Sequence, residues 1–186
     1  MNTHKILLPT ILIILIITII LAVVYFIFRS QDGTESMIGA KVPEFTLPDQ
    51  DGNEFSIKDV VGKKNLVYYF YPKDFTGGCT KEACTFRDDF KDFVEADAIV
   101  IGISSQSVES HKAFAEKNNL PFTLLADTNN TVRKLFHVQT NEYGHIPGRV
   151  SFVVDKKGMI ISTFNSLTQP KKHVEEALRI LKGNGN

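Results

Sequence analysis

The stretch that decides the fold is Tyr68-Tyr69-Phe70-Tyr71-Pro72-Lys73-Asp74-Phe75-Thr76-Gly77-Gly78-Cys79-Thr80-Lys81-Glu82-Ala83-Cys84-Thr85-Phe86-Arg87-Asp88. Its aromatic first part reads as a strand that ends at Pro72. Asp74 to Gly78 then forms a loop whose two glycines tolerate unusual backbone angles. A helix is expected from about Cys79, with Glu82 in its first turn. Cys79 thus stands at a helix amino terminus, where unpaired amides and the positive end of the helix dipole favour a thiolate. A free cysteine, with a pKa of ~8.5, is mostly protonated at neutral pH, and each unit of depression stabilises the thiolate by about 1.4 kcal/mol.

Cys84 follows five positions later, an offset that rotates a helical side chain by roughly 140° and moves it ~7.5 Å along the axis. The two Cα atoms would be about 8.6 Å apart in an intact helix, beyond the ~7 Å limit for a disulfide. Oxidising the pair must therefore unwind a turn. The spacing alone describes a reactive cysteine in the folded state and a second one that reaches it only after local unfolding.

Outward from this stretch, short apolar runs alternate with helical periodicity, the pattern of an α/β layer fold. Asn65 to Tyr71, Ala98 to Ile103 and Val150 to Val154 are dense in β-branched and aromatic residues and read as the sheet centre. Helices are expected over Cys79 to Val94, Val108 to Asn118, Asn130 to Phe136 and Pro170 to Leu181. The last starts with a proline and places Val174, Ala177, Leu178 and Leu181 on one face. Hairpin turns are expected at Gln50-Asp51-Gly52-Asn53 and at Asp155-Lys156-Lys157-Gly158.

The whole chain has 186 residues, with 21 basic and 21 acidic side chains, 43% hydrophobic residues and two cysteines. One globular core fits that length, and zero net charge removes the basic excess that nucleic acid or an anionic lipid surface would require. Two cysteines are too few for a disulfide-framed miniprotein. The apolar residues are unevenly spread: Ile6 to Phe28 is a run of 23 residues without charge, bounded by Lys5 and Arg29. About 20 such residues span a hydrocarbon core of ~30 Å, and no small-x-small cleavage site follows, so the run reads as an uncleaved transmembrane helix. Pro9 falls in its first turn. Lys5 and the amino terminus tilt the cytoplasmic side toward the start of the chain, which places the rest as an extracytoplasmic domain of a single-pass membrane protein. The expected organisation is an anchor at 1–29, a polar tether at 30–36 and a domain at 37–186, the last carrying 19 basic and 19 acidic residues.

Tyr69-Phe70-Tyr71-Pro72-Lys73-Asp74, Thr76, Gly78-Cys79-Thr80-Lys81-Glu82-Ala83-Cys84 and Phe86-Arg87-Asp88 together resemble the active-site segment of the peroxiredoxin Q group, also called bacterioferritin comigratory proteins. The pattern Pro-x-x-x-Thr-x-x-Cys stands here as Pro72, Thr76 and Cys79, with Cys84 at the short spacing of a resolving cysteine. Resemblance continues through Gly39 to Asp51, Ile99 to Ser104, Phe122 to Asp127 and Arg149 to Asp155, and so covers nearly all of 37–184. Two departures stand out: Gly77, where the group commonly has proline, and the hydrophobic amino-terminal segment. The resemblance implies a thioredoxin-like fold, a central mixed sheet flanked by helices. It implies thiol-dependent reduction of hydrogen peroxide and organic hydroperoxides, with Cys79 as peroxidatic thiolate. Thr76 would hydrogen-bond peroxide and thiolate, Arg149 would stabilise the charge, and Pro72 would shield the sulfur. Cys84 would form the disulfide, and a thioredoxin-like dithiol reductant would reopen it. A monomer is implied, with no metal, haem or flavin.

Blander readings exist for each of these residues. The cysteines would be small buried residues or a static disulfide, Arg149 a surface ion pair, and Thr76 an ordinary cap. His111, His137, His145 and His173 show no ligand spacing and read as surface residues. Tyr68, Tyr69, Phe70 and Tyr71 read as strand core and pocket wall, and Asn129-Asn130-Thr131 as a chance glycosylation triplet. Two rival functions are a membrane-tethered thiol-disulfide reductase and a copper-delivery protein of the thioredoxin fold. The reductase needs Cys-x-x-Cys, commonly after a tryptophan, and this chain has none. Copper delivery would recruit His137 or His145 beside the cysteines, but its usual spacing is three residues and it leaves Thr76 and Arg149 without a role.

Overall fold

A computed structural model describes residues 13–23, 33–139 and 148–183, which divide into two units, Met1–Asp32 and Gly33–Asn186. In the first unit residues 13–23 form helix α1. The transmembrane helix expected over Ile6 to Phe28 is not supported, nor are the membrane partnership and single-pass placement that rested on it. No helix among the described residues is long and apolar enough to cross a membrane. At ~1.5 Å per residue the described residues 13–23 account for about 17 Å of a hydrocarbon core of ~30 Å. The rest of that run, Pro9 included, lies outside the described residues.

In the second unit a short antiparallel hairpin pairs β1 (Thr46–Pro48) with β2 (Glu54–Ser56). Then follow β3 (Asn65–Phe70), α2 (Gly77–Asp88), α3 (Phe90–Glu95), β4 (Ala98–Ser104), α4 (Val108–Asn118), β5 (Thr123–Ala126), α5 (Thr131–Leu135), β6 (Val150–Val154), β7 (Ile160–Asn165) and α6 (Pro170–Gly183). Five strands make one mixed sheet in the order β5-β4-β3-β6-β7, with β3, β4 and β5 parallel and β6 and β7 antiparallel to their neighbours.

The central strand β3 explains the layering. Its residues alternate between faces, so Leu66, Tyr68 and Phe70 enter one buried cluster with Phe45, Val132, Phe136 and Phe152. Val67, Tyr69 and Tyr71 enter the other, with Phe86, Phe93, Phe114 and Val174 from α2, α3, α4 and α6. The four aromatic residues Tyr68 to Tyr71 are all core. Fully burying a ring such as Phe86 or Phe152 contributes about 2 kcal/mol. Gly102 of β4 is required by this packing: a β-carbon there would stand 2.7 Å from the Tyr69 ring and from Leu124.

Three details differ from the sequence reading. The helix expected over Cys79 to Val94 begins two residues earlier, at Gly77, and breaks at Asp89 into α2 and α3. Aspartate is a poor helix former, and the break falls at the pair Asp88 and Asp89. β5 had no expected counterpart among the strands; it joins β4 in parallel register from Ile101↔Thr123 onward. His111 and His173 are fully buried rather than on the surface, because both find hydrogen-bond partners inside. His137 is exposed and hydrogen-bonds the Gly33 carbonyl, while His145 lies outside the described residues.

A thiol between an arginine and a helix end

Sheet register assembles the site. Phe70, the last residue of β3, pairs with Val150, the first of antiparallel β6. The segment leaving β3 (Tyr71, Pro72) and the residue entering β6 (Arg149) therefore lie at the same edge of the sheet. Tyr71 and Pro72 lead into a loop in which Phe75 takes a positive φ of 60°. Thr76 is the N-cap of α2, with φ −84° and ψ 148°, and its hydroxyl donates to the Lys73 carbonyl at 3.0 Å. Cys79 is the third residue of the helix, where backbone amides lack intrahelical acceptors.

The Cys79 sulfur is 1% exposed and accepts from Nη2 of Arg149 at 3.4 Å. Arg149, 3% exposed, also donates from Nη1 to Glu82 Oε2 and from Nε to the Leu167 carbonyl at 3.3 Å. A guanidinium and a helix amino terminus facing one buried sulfur make a site built to receive negative charge. Pro72 is half-buried at the start of the loop, and Thr76 sits at the exposed rim one turn before Cys79. Both cysteines are free, and both lie in the intact α2, which keeps them apart as the spacing requires. Half-buried Cys84 donates its thiol to Asn118 Oδ1 at 3.7 Å.

Several residues with a place in this site were not picked out from the sequence. Glu82 is fully buried, and burial pushes its carboxyl up to about 8, with the charge of Arg149 pulling against it. Burial works against Arg149 as well, but Glu82 and then Cys79 outweigh it and hold the guanidinium above its ordinary value. Burial thus prevails for one partner and pairing for the other, so Arg149 keeps its proton and Glu82 is the member that titrates. The offset from Cys79 to Glu82 is three residues, one helical turn on the same face, and that was the available signal. Behind the pair, His173 accepts from Ser151 at Nδ1 (2.9 Å) and donates from Nε2 to the Ser166 carbonyl at 2.8 Å. Those roles define the neutral tautomer, and burial, seconded by the charge of Arg149, lowers the imidazole to about 4.

A second buried network pins the loop. Asp74, 2% exposed, accepts from Tyr71 at 2.8 Å, from Ser110 at 2.7 Å and from His111 Nδ1 at 2.9 Å. Burial opposes the Asp74 carboxylate, but these hydrogen bonds, led by His111, hold it below its ordinary range. No periodicity flags such a network, because its members come from β3, the loop and α4.

The sequence profile of the AhpC/TSA family matches residues 38–163. The chain belongs to the AhpC/TSA family. Among curated relatives of this AhpC/TSA chain is the chloroplastic peroxiredoxin Q of Sedum lineare, 49% identical over 144 residues, which cover 77% of each chain. Peroxidoxin BcpB from Mycobacterium tuberculosis superposes with a TM-score of 0.75 at 34% identity, covering 81% of this chain and 99% of that one. The bacterioferritin comigratory protein of Xanthomonas campestris, described for its alkyl peroxide reduction activity, gives a TM-score of 0.70 at 28% identity, covering 76% and 92%. This member of the AhpC/TSA family is a thiol-dependent peroxidase with a thioredoxin-like α/β fold. The rival copper-delivery and disulfide-reductase functions are not favoured.

Proposed function

We propose that Cys79 is the peroxidatic thiol of this peroxidase, that Cys84 resolves it, and that Thr76, Arg149 and Pro72 shape the peroxide site. The observation that carries the reading is the Arg149 guanidinium 3.4 Å from the Cys79 sulfur at the start of α2. The thiolate attacks one oxygen of the peroxide, forming an S–O bond as the O–O bond breaks. The departing oxygen takes a proton and leaves as water or an alcohol, and Cys79 keeps a sulfenic acid. Arg149 stabilises the charge that develops on the oxygens, and the Thr76 hydroxyl, which donates to the Lys73 carbonyl, accepts a hydrogen bond from the peroxide O–H. Pro72 keeps water from the sulfur.

Cys84 then attacks the sulfenic sulfur, closing an S–S bond and expelling water. That step needs the first turns of α2 to unwind and Cys84 to leave Asn118. A thioredoxin-like dithiol reduces the disulfide by exchange and is itself oxidised. Hydrogen peroxide and alkyl hydroperoxides are the proposed substrates, the second supported by the activity described for the Xanthomonas protein. The acting unit is a monomer. Peroxide consumption coupled to a dithiol tests the scheme: Cys79→Ser should abolish it, while Cys84→Ser should allow one turnover and then stall. Equal turnover by wild type and Cys79→Ser would remove the assignment.

A further inference from the structure

Arg133, the third residue of α5, takes no part in the scheme above, yet its side chain reaches both segments that carry the site. It is 5% exposed. Nη2 donates to the Tyr71 carbonyl at 3.1 Å and Nη1 to the Gly148 carbonyl at 3.0 Å. Tyr71 immediately precedes Pro72, and Gly148 immediately precedes Arg149. One planar guanidinium thus ties together the segment leaving β3 and the segment entering β6, just beyond the last sheet pair, Phe70↔Val150. Its carbon lies 5.6 Å from the centre of the Phe70 ring, so the apolar strand end supplies a π face as well.

Placing a cation in that position is costly unless its donors are satisfied and negative charge is near. The two carbonyls meet the first need. Burial draws the Arg133 guanidinium down to about 10, with the charges of Asp127 and Cys79 acting in the opposite direction. Asp127 is the other fixed charge on this side. Its carboxylate accepts the backbone amides of Thr131, Val132 and Arg133 at 2.8, 3.2 and 2.8 Å, which fixes the start of α5 and hence the root of the Arg133 side chain. Arg149, at the entry to β6, donates to the sulfur and pairs with Glu82 of the cysteine's own helix α2.

We infer that Arg133 is a second arginine of the site, a positioning residue that clamps the Pro72 loop to the Arg149 strand and adds buried positive charge behind the Cys79 thiolate. It works through the two carbonyls and through space, without touching peroxide. A lysine would keep the charge but, with a single nitrogen, could not span both carbonyls with the same fork. The two functions of the residue are therefore separable.

This inference rests on Cys79 being the reactive thiol, and the test keeps the two apart. In a Cys84→Ser background, the rate of Cys79 alkylation by iodoacetamide is followed against pH, and single-turnover reduction of hydrogen peroxide is measured at pH 7. Arg133→Met should move the alkylation midpoint up by about one pH unit and slow peroxide reduction about tenfold. Arg133→Lys should leave the midpoint in place and still slow peroxide reduction, because the clamp is lost while the charge remains. A folded Arg133→Met variant with wild-type midpoint and wild-type peroxide rate would overturn the inference, as would a variant that loses only thermal stability. Should Arg133→Met not fold, Arg133→Lys decides, and an unchanged single-turnover rate there overturns the clamp. A parent protein that reduces no peroxide would instead bring down the Cys79 assignment, and this inference with it.

Discussion

A β-carbon at Gly78 would stand 3.0 Å from Nη2 of Arg149, the nitrogen that donates to the Cys79 sulfur. Glycine at the second position of α2 therefore leaves room for the arginine rather than for a turn. Alanine there should raise helix stability by up to about 1 kcal/mol while pushing the guanidinium aside. Gly78→Ala is expected to match or exceed wild type in thermal melting and to lose peroxide turnover about tenfold or more. Equal turnover would show that the arginine moves without cost.

Glu82 accepts from Nη1 of Arg149, and burial keeps its carboxyl protonated until pH nears 8. Glu82→Gln retains the shape and an acceptor oxygen for the guanidinium while fixing the residue as neutral. A carboxyl raised on folding from 4.5 to about 8 contributes stability that is complete below pH 4.5 and lost as pH rises toward 8, so across that range the urea midpoint of wild type should fall by more than that of Glu82→Gln. Peroxide turnover of Glu82→Gln at pH 7 should stay close to wild type, and equal falls of the two urea midpoints would place the titration elsewhere.

Gly77 is the first residue of α2, and its N-cap Thr76 has the extended backbone, ψ 148°, that a following proline requires. Among the described residues, no atom beyond its chain neighbours and its own helix backbone lies within 4 Å of where its β-carbon would be. Gly77→Pro should add about 0.4–1 kcal/mol of stability by restricting the unfolded chain. The same restriction resists unwinding, so rapid-quench measurement after one equivalent of peroxide should show slower Cys79–Cys84 disulfide formation. An accelerated disulfide would mean that the loop before Gly77, not the first helical turn, limits the rearrangement.

His173 is neutral and fully buried, and its folded value of about 4 lies below the ordinary 6.5. The unfolded chain therefore takes up a proton here before the folded one does. Stability attached to this residue is complete above pH 6.5 and drains away as pH falls toward 4. The span amounts to about 3 kcal/mol. Urea titrations at pH 7 and pH 4.5 should show a smaller drop for His173→Gln than for wild type; identical drops would place the acid sensitivity elsewhere.

The Tyr69 hydroxyl is buried and meets no hydrogen-bond partner among the described residues, while its ring stacks 4.6 Å from Phe86 and 5.3 Å from Tyr71. Removing that oxygen keeps the stacking and relieves an unmet donor. Tyr69→Phe should be equal to wild type or more stable by about 1 kcal/mol, read from the melting temperature. A clear loss of stability would reveal a hidden partner for the hydroxyl.

Local pattern carried the reading wherever chemistry depends on neighbours in the chain. Pro72, Thr76 and Cys79 span eight residues, and helix geometry alone separates Cys79 from Cys84, so their arrangement was legible before any coordinates. The apolar run from Ile6 to Phe28 was read by the same local rule and failed. Hydropathy counts residues and takes their helical continuity for granted, and no helix among the described residues is long and apolar enough to cross a membrane. His111 and His173 were misplaced for a related reason: a lone histidine carries no periodic signal, and only partners such as Asp74 or Ser151 make its burial tolerable.

By itself the sequence determined the alternating strands and helices, the helix end on which Cys79 sits and the distance that keeps Cys84 away, since each follows from spacing along a regular backbone. Tertiary structure decided which charges surround the sulfur. Arg149 and Arg133 arrive from 70 and 54 positions away only because antiparallel β6 brings Val150 beside Phe70 and α5 roots its arginine beneath the two loops. Glu82 and His173 take up their values only because folding strips them of water. A chain of residues fixes directions; the field at the thiol depends on what closes around it.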